Sequence, residues 1–193
     1  SALGTPSSTE KMVALLKAPG LVELESIAAG DWEVDRSGMV NLEHPRAKEA
    51  GLTDSPEPIQ VFFHVLRHPT QGTFIVDTGV EKALRDDPSK SALGGLVRSV
   101  MKTEKMKFHR PLGEWVAAEK TPLKGVFLTH LHLDHVSGMP DVPNATPVYA
   151  GPGEPGVTAF LNVFVQGSID RAMAGKAPIH EWAYAEKSAE GFA

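Results

Sequence analysis

The stretch THLHLDHVSG, residues 129–138, is the most informative part of this sequence, because it concentrates side chains that bind metal ions. Alternate side chains of an extended chain point to the same side, so His130, His132 and Asp134 would converge while the two intervening leucines anchor the opposite side. His135 follows directly, and the small residues after it allow a bend that turns its ring toward a second point nearby. The spacing therefore predicts a metal-binding segment at the end of a strand.

These donors indicate which metal and which chemistry to expect. Neutral imidazole and carboxylate groups suit a borderline divalent ion such as Zn²⁺, at ligand distances of ~2.0–2.2 Å. Two such ions about 3.5–4 Å apart would share a hydroxide and polarise a carbonyl or phosphoryl oxygen, which is hydrolytic chemistry. The chain has no cysteine, so disulfides, thiolate catalysis and cysteine zinc sites are excluded.

Runs of β-branched and aromatic residues on both sides of this segment predict strands. We expect two β-hairpins, one turning at residues 28–31 and one at residues 67–72, the second ending in Asp77-Thr78-Gly79. A short buried strand should carry the metal-binding segment at its end, and another should follow it. The predicted strands are Leu21–Ile27, Trp32–Val34, Ile59–Leu66, Thr73–Val76, Gly125–Leu128 and Val148–Ala150.

Helical spacing of apolar residues predicts several short helices between these strands. A polar, proline-containing stretch from Glu43 to Pro58 predicts a long surface loop, Val157–Val165 suits either a helix or a buried strand, and the pattern is weak from Gly167 onward. Hairpins followed by alternating strands and helices indicate a mixed sheet packed on helices. The predicted helices are Ser7–Leu16, Val80–Leu84, Ala92–Met101 and Leu112–Ala118.

Composition bounds the possible partners. The formal net charge of −5 argues against a nucleic-acid partner, and no apolar run approaches the ~20 residues that span a bilayer, so we expect no membrane partner. Cations are enriched between Lys90 and Arg110, where a solvated surface is the ordinary interpretation and a pocket rim that attracts anions is the alternative. The cellular compartment stays open between the cytoplasm and a periplasmic or secreted location.

Two separated motifs carry a resemblance to a known family. THLHLDHVSG at 129–138 resembles the HxHxDH signature of the metallo-β-lactamase superfamily, and FIVDTG at 74–79 resembles the strand that precedes it there. The resemblance implies an α+β fold, a four-layer αβ/βα sandwich. Residues 1–193 would form a single domain that supplies mainly the first half of this sandwich, with residues 1–20 as a peripheral tail or helix.

The resemblance also implies a ligand set. In that family His130 and His132 would hold a first ion, and Asp134 and His135 a second, so two Zn²⁺ ions are expected in a complete site. We expect Asp134 and Asp77 to be the carboxylates that serve catalysis, with Asp77 orienting a ligand imidazole or a bound water. The alternative for Asp77 is a turn residue that bonds its own backbone.

The sequence departs from the family pattern after His135. The family would supply one further histidine ligand for each ion and a bridging aspartate downstream, whereas the only later histidine is His180. We expect either that the C-terminal ligand segment lies outside this sequence, that a second copy in a homodimer completes the site, or that His180 has an unusual role. An isolated histidine of this kind is more often structural than a ligand.

Less specific patterns around the motifs are similar to N-acyl homoserine lactonases, namely Arg67-His68-Pro69 before the VDTG strand, PLGEWVAAEKTPLKGVFLTHLHLDH at 111–135 and PNATPVY at 143–149. They imply a zinc-dependent hydrolase that uses a metal-bound hydroxide and acts on a small-molecule ester or lactone. The alternatives are a β-lactamase, a glyoxalase II-like thioesterase, a phosphotriesterase-like hydrolase or a ribonuclease Z-type nuclease, which the negative charge disfavours. A degenerate, non-catalytic half-domain is the alternative outside the enzymes.

Overall fold

The computed structural model describes residue 14, residues 20–156 and residues 160–182, and these residues build one mixed β-sheet with helices against it. In its described part the sheet has seven strands in the order β4-β1-β2-β3-β5-β6-β7. The strands are β1 Glu23–Asp35, β2 Pro56–His68, β3 Gly72–Val76, β4 Lys107–Phe108, β5 Leu123–Phe127, β6 Val148–Ala150 and β7 Ile179–Glu181.

The hairpin predicted around residues 28–31 is wrong, because β1 continues through this point as one strand. It pairs antiparallel with β2 along its length, and the register shifts at a bulge between Ala28 and Gly30. The small residues serve a close approach instead of a turn: a Cβ on Gly30 would lie 3.0 Å from the Lys107 carbonyl oxygen, where β4 attaches to the other side of β1.

The second predicted hairpin is confirmed, since β2 and β3 pair antiparallel with Val65 opposite Ile75. The predicted loop from Glu43 to Pro58 is partly wrong. It contains the helix α1 Pro45–Glu49, which begins after His44, whose Nδ1 accepts a hydrogen bond from the Arg46 N–H, and its last residues already belong to β2.

The remaining helices of the described residues lie between the later strands, and the predicted helical segments after β3 are confirmed in type. They are α2 Lys82–Asp86, α3 Gly95–Val100, α4 Leu112–Ala118, α5 Leu133–Val136 and α6 Phe160–Met173. The ambiguous run 157–165 is helical from Phe160, and the weakly patterned end contains the rest of α6 and β7. Apart from residue 14, the predicted helix Ser7–Leu16 lies outside the described residues.

The hydrophobic core lies between one face of the sheet and the helices. Phe63, Val65, Ile75, Val126 and Val148 point from the strands into this core and are fully buried. They meet apolar side chains of the helices and loops, among them Leu84, Val97, Leu112, Trp115, Leu133, Val136 and Met139. None of the described helices is long and apolar enough to cross a membrane.

The opposite face of the sheet carries a partly exposed aromatic row. Phe74 stacks on Phe127 with ring centroids 5.4 Å apart, and Phe127, Tyr149 and Trp182 continue the row at centroid distances of 5.3–5.6 Å. Phe74, Phe127 and Tyr149 lie on this face because of strand alternation, since their neighbours Ile75, Val126 and Val148 on the same strands are buried in the core.

Strand direction determines where functional residues gather. The neighbours β3, β5, β6 and β7 are all parallel, so their carboxyl ends lie at one edge of the sheet. Ligands of open α/β sheets bind at this kind of edge. Asp77 follows β3 there, and the segment that begins at Thr129 follows β5.

Candidate metal centre

The segment after β5 leaves the sheet as an irregular stretch, residues 128–132, and then turns into a helix. His130 and His132 belong to this irregular stretch, whereas Asp134 and His135 lie in α5, which begins directly after His132. The prediction that three ligands alternate along one extended chain is therefore wrong at Asp134. The helix begins early because Leu133 and Val136, one turn apart, are both buried in the core.

The early helix nevertheless brings the imidazoles together. The ring centroids of His130 and His132 are 4.4 Å apart, and those of His130 and His135 are 4.0 Å apart. The side chains of Leu131 and Leu133 pack on or in the core, as the alternation predicts, and hold the segment down. The structure thus places all the predicted histidines of the segment in one group at the carboxyl edge.

The Asp77 carboxylate contacts this group of residues through hydrogen bonds. Its carboxylate is 6% exposed and accepts hydrogen bonds from the Thr129 N–H at 2.8 Å, the Thr129 hydroxyl at 2.9 Å and His135 Nδ1 at 2.8 Å. Its backbone has φ 55°, in the left-handed region that aspartate tolerates better than most residues. The carboxylate bonds the metal-binding segment, so the structure favours the orienting role over a turn residue that bonds its own backbone.

The hydrogen bond to Asp77 determines which nitrogen of His135 is available. A carboxylate only accepts, so His135 Nδ1 carries a proton, and Nε2 is the nitrogen that would bind a metal ion once its own proton is released. The Thr129 hydroxyl oxygen also lies 3.1 Å from His130 Nδ1 and can accept a hydrogen bond from it. Both contacts engage Nδ1, so Nε2 of His130 and of His135 is the atom that would bind a metal ion. This is the usual arrangement of a histidine ligand supported by a second group.

Charge interactions inside the group are strong. Burial would lower the pKa of His135, but hydrogen bonds to Asp134 and Asp77 outweigh burial and raise this pKa to about 10. Burial would raise the pKa of Asp134, but the hydrogen bond and charge of His135 outweigh burial and lower it. Burial, followed by the neighbouring imidazoles, lowers the pKa of His130. The group therefore favours a positive charge beside Asp134.

The donor set fits a divalent metal ion in chemistry and, for one pair, in spacing. Two ligands of a tetrahedral ion at ~2.0–2.2 Å lie about 3.3–3.6 Å from each other. Asp134 Oδ2 and His135 Nε2 are 3.4 Å apart. Among the described residues, however, no group of three or more histidine, aspartate or glutamate side chains is already arranged to hold an ion. The side chains fit in kind and as a pair, but they are not a complete coordination sphere.

A set of close contacts fixes the loop after β3 to the end of α5 and to the residues that follow it. The His135 carbonyl oxygen accepts hydrogen bonds from the Thr78 N–H at 3.0 Å and from its hydroxyl at 2.7 Å, and the Ser137 hydroxyl donates to the Gly79 carbonyl oxygen at 2.7 Å. The fit is tight, because a Cβ on Gly138 would lie 2.0 Å from the Thr78 carbonyl oxygen. Asp77 and His135 are therefore held in register through the backbone.

His180 lies on β7 opposite Tyr149, with the two ring centroids 5.5 Å apart, and it is exposed. Its side chain belongs to the aromatic face of the sheet, which agrees with a structural residue. The cations between Lys90 and Arg110 are partly paired locally, Lys90 with Asp87 and Lys102 with Asp35. These pairs favour the solvated-surface interpretation.

Sequence reasoning missed two residues of the site. The motif pattern predicts no role for Thr129, although its hydroxyl lies among Asp77, His130 and His135. The pattern likewise gives no role to Glu154, whose Oε1 accepts a hydrogen bond from the Leu131 N–H at 2.9 Å. A Pro-Gly pair before Glu154 signals a turn in the sequence, but no local pattern indicates which backbone group its carboxylate meets.

Comparison with known proteins assigns this fold to a family. The model of the metallo-beta-lactamase superfamily matches residues 56–188, which is more than half of the chain. The chain belongs to the metallo-beta-lactamase superfamily. The α+β fold class expected from the motifs is thereby confirmed, with the described residues forming the seven-stranded mixed sheet. No curated protein matches the sequence of this chain.

Several solved structures share the fold at low sequence identity. The crystal structure of a quorum-quenching N-acyl homoserine lactone lactonase is 16% identical, with a TM-score of 0.54 over 82% of this chain and 56% of that one. A mutant of B. thuringiensis AiiA with N-decanoyl-L-homoserine bound at its active site is 17% identical, with a TM-score of 0.54 over 82% and 58%.

A probable metal-dependent hydrolase from Staphylococcus aureus is 12% identical, with a TM-score of 0.54 over 87% of this chain and 62% of that one. This chain therefore spans 56–62% of the length of these three structures. Identities this low show a common fold and leave substrate and activity to other arguments.

Proposed function

We propose that this chain provides the metal-binding edge of a metal-dependent hydrolase that opens lactone rings. The observation that carries the proposal is the geometry of His135, whose Nδ1 is held by the Asp77 carboxylate at 2.8 Å while its Nε2 faces Asp134 Oδ2 at 3.4 Å. His130 and His132 would hold a first Zn²⁺ ion, and Asp134 and His135 a second. When bound, such ions lower the pKa of water to ~7 and polarise a substrate carbonyl.

The chain's own residues have separate roles in this proposal. Asp77 and Thr129 hold Nδ1 protons and so present Nε2 of His135 and His130 to the edge. Asp134 supplies the negative charge that offsets a bound cation. Leu131 and Leu133 anchor the segment on the core, so these donors keep their positions at little cost in ordering entropy.

Lactones are the proposed substrate class for two reasons. The solved structures that share the fold include an N-acyl homoserine lactone lactonase and an AiiA mutant holding N-decanoyl-L-homoserine, each said of those proteins alone. The net charge of −5 gives no support for a polyanionic substrate such as RNA. Thioesters, β-lactams and phosphotriesters are the rival substrates that share the required chemistry.

A pH-indicator assay with added Zn²⁺ tests this proposal, with a γ-lactone, a thioester, a β-lactam and a phosphotriester supplied in parallel. We expect turnover of the lactone and its loss on metal chelation. The variant Asp134→Asn should remain folded but lose about tenfold or more in rate, because it removes a charged ligand. Unchanged turnover in this variant, or preference for a rival substrate, would contradict the proposal.

One observation favours a second candidate, a non-catalytic domain that binds metal weakly. A structural zinc needs four ligands and a catalytic zinc usually three from the protein, whereas no three donors converge in the described residues. Completion by a downstream segment or by a second copy of the chain is therefore part of the enzyme proposal. Fewer than one tightly bound ion per chain, without turnover of any substrate, would favour the non-catalytic candidate.

A further inference from the structure

A rigid turn lies beside the metal-binding segment at the carboxyl end of β6. Residues 151–154 form a type II turn in which Pro152 and Gly153 are the central residues, Gly153 has φ 77°, and the Glu154 N–H donates to the Gly151 carbonyl oxygen at 3.2 Å. Proline presets its own φ, and glycine adopts the left-handed conformation without strain. The local sequence thus favours this turn, which sets the backbone position of Glu154 relative to the end of β6.

The neighbouring strand β7 holds this turn in place. The Gly153 N–H donates to Glu181 Oε2 at 2.6 Å, and the Trp182 N–H donates to the Ala150 carbonyl oxygen at 3.0 Å. Both contacts connect the end of β7 with the chain that leaves β6. The turn that carries Glu154 is therefore attached to the end of β7 by hydrogen bonds.

The Glu154 carboxylate contacts the peptide group that joins His130 to Leu131, between the first two histidines of the motif. Its Oε1 accepts a hydrogen bond from the Leu131 N–H at 2.9 Å. This part of the chain is neither strand nor helix, so no ladder hydrogen bond holds its orientation. The Leu131 side chain packs on the core, and the Leu131 N–H is held by Glu154. Rotation of this peptide would move the rings of both His130 and His132.

We infer that Glu154 is a positioning residue, which orients the peptide between His130 and His132 so that both imidazoles can bind one divalent metal ion. This inference rests on the proposed function of the same edge. A carboxylate suits the task because hydrogen bonds to a charged acceptor are roughly twice as strong as neutral ones. The role differs from that of Asp77, which bonds a ligand side chain, because Glu154 acts through the backbone alone.

The test measures cobalt(II) binding to the metal-free chain through its visible absorption bands. Glu154→Ala removes the acceptor, and we expect a dissociation constant 10–100-fold higher, the usual effect of removing a group that supports metal ligands, together with altered bands. Glu154→Gln keeps an acceptor oxygen and should stay within about threefold of the wild type. Glu33→Ala, which removes an exposed carboxylate on β1, is the matched control and should bind as the wild type does.

Hydrogen exchange of the Leu131 amide in the metal-free protein gives a second reading that does not depend on metal. We expect protection in the wild type and in Glu154→Gln, and its loss in Glu154→Ala. Unchanged cobalt affinity in Glu154→Ala would overturn the inference while leaving the metal site intact. An equal loss of affinity in both Glu154 variants with a lower melting temperature of the metal-free protein would indicate a structural role and also overturn it.

The wild-type result separates this inference from the proposal on which it rests. If the wild-type chain binds cobalt and only the Glu154 result disagrees, the proposed function stands and the positioning role falls. If the wild-type chain binds no cobalt, the metal site and the positioning role fall together, whatever the exchange data show.

Discussion

Asp77 and Glu81 lie on the same short segment after β3 and are both buried, at 6% and 1% exposure, yet their partners differ in kind. Asp77 bonds Thr129 and the titratable ring of His135, both of which face the carboxyl edge. Glu81 accepts from the Ser91 hydroxyl at 2.5 Å and the Ala92 N–H at 2.9 Å, which belong to a loop of the scaffold. Carboxylates of similar burial thus contact the candidate metal-binding segment in one case and attach a loop in the other.

Glu81 and the nearby Asp141 form a second group of buried carboxylates, the Glu81 cluster, and burial is the main influence on the pKa of each. Burial raises the pKa of Glu81, and the hydrogen bonds from Ser91 and Ala92 only partly offset this effect. Asp141 nearby is similar, since burial raises its pKa although the Lys82 and Gly113 N–H groups donate to it. These carboxylates bond backbone groups and hydroxyls, so their replacement should change stability without changing metal binding.

The largest expected effect is on the Asp77 side of this comparison. His132→Ala removes a proposed ligand of the first ion, so we expect loss of about one ion per chain and of all measurable hydrolysis. Elemental analysis of the purified variant measures the first quantity. Retention of the full metal content would show that His132 is not a ligand.

The next largest effect is expected on stability, where the residues that follow α5 pack on the loop that contains Asp77. Gly138→Ala places a Cβ against the Thr78 carbonyl oxygen, so we expect a loss of about 3 kcal/mol in the free energy of unfolding. Urea denaturation measures this loss. Gly156→Ala, whose Cβ would meet nothing within 4 Å, is the control and should cost far less. Equal losses in both variants would mean that the tight fit is unimportant.

Asp77→Asn tests directly whether Asp77 supports metal binding while the Glu81 cluster does not. The asparagine side chain keeps the size of Asp77 but loses the charge that accepts the proton of His135 Nδ1, so we expect 10–100-fold weaker zinc binding. Competition with a chelator of known affinity measures it. Glu81→Gln, as the matched control in the other cluster, should bind zinc as the wild type does, and weaker binding there would remove the distinction between the clusters.

The smallest expected effect is the pH dependence of stability that Glu81 contributes. Its pKa is raised in the fold, so the folded state favours the protonated form, and the stability that Glu81 contributes at low pH is lost as the pH rises from the ordinary value toward the raised one. Glu81→Gln removes this loss. Denaturation between pH 4 and 7 should therefore show a smaller decline in the variant than in the wild type, and parallel curves would contradict this prediction.

The sequence predicted the parts of the fold that depend on local pattern. Alternation identified β2 and β3, and helical spacing identified α4 with its observed bounds. The hairpin expected around residues 28–31 failed because small residues followed by aspartate look the same in a turn and in a bulge. Only the contact of Gly30 with Lys107, far away in sequence, distinguishes the two.

The site shows the same division between local and distant information. Residue types and spacing brought His130, His132 and His135 to attention, and the structure groups their rings. Alternation misplaced Asp134, because burial of Leu133 and Val136 draws the chain into a helix. Glu154 could not be predicted, since in the described part of the chain it meets the histidine segment through a hydrogen bond between the residues that follow β6 and those that follow β5, which no sequence pattern records.

The most direct test of the metal centre is an anomalous difference map, collected at the zinc absorption edge from crystals of the chain grown with Zn²⁺. We predict a peak within ~2.0–2.2 Å of both Asp134 Oδ2 and His135 Nε2, whose present separation of 3.4 Å suits a shared ion. Zinc bound elsewhere, or no peak at this edge of the sheet, would contradict the assignment of the site.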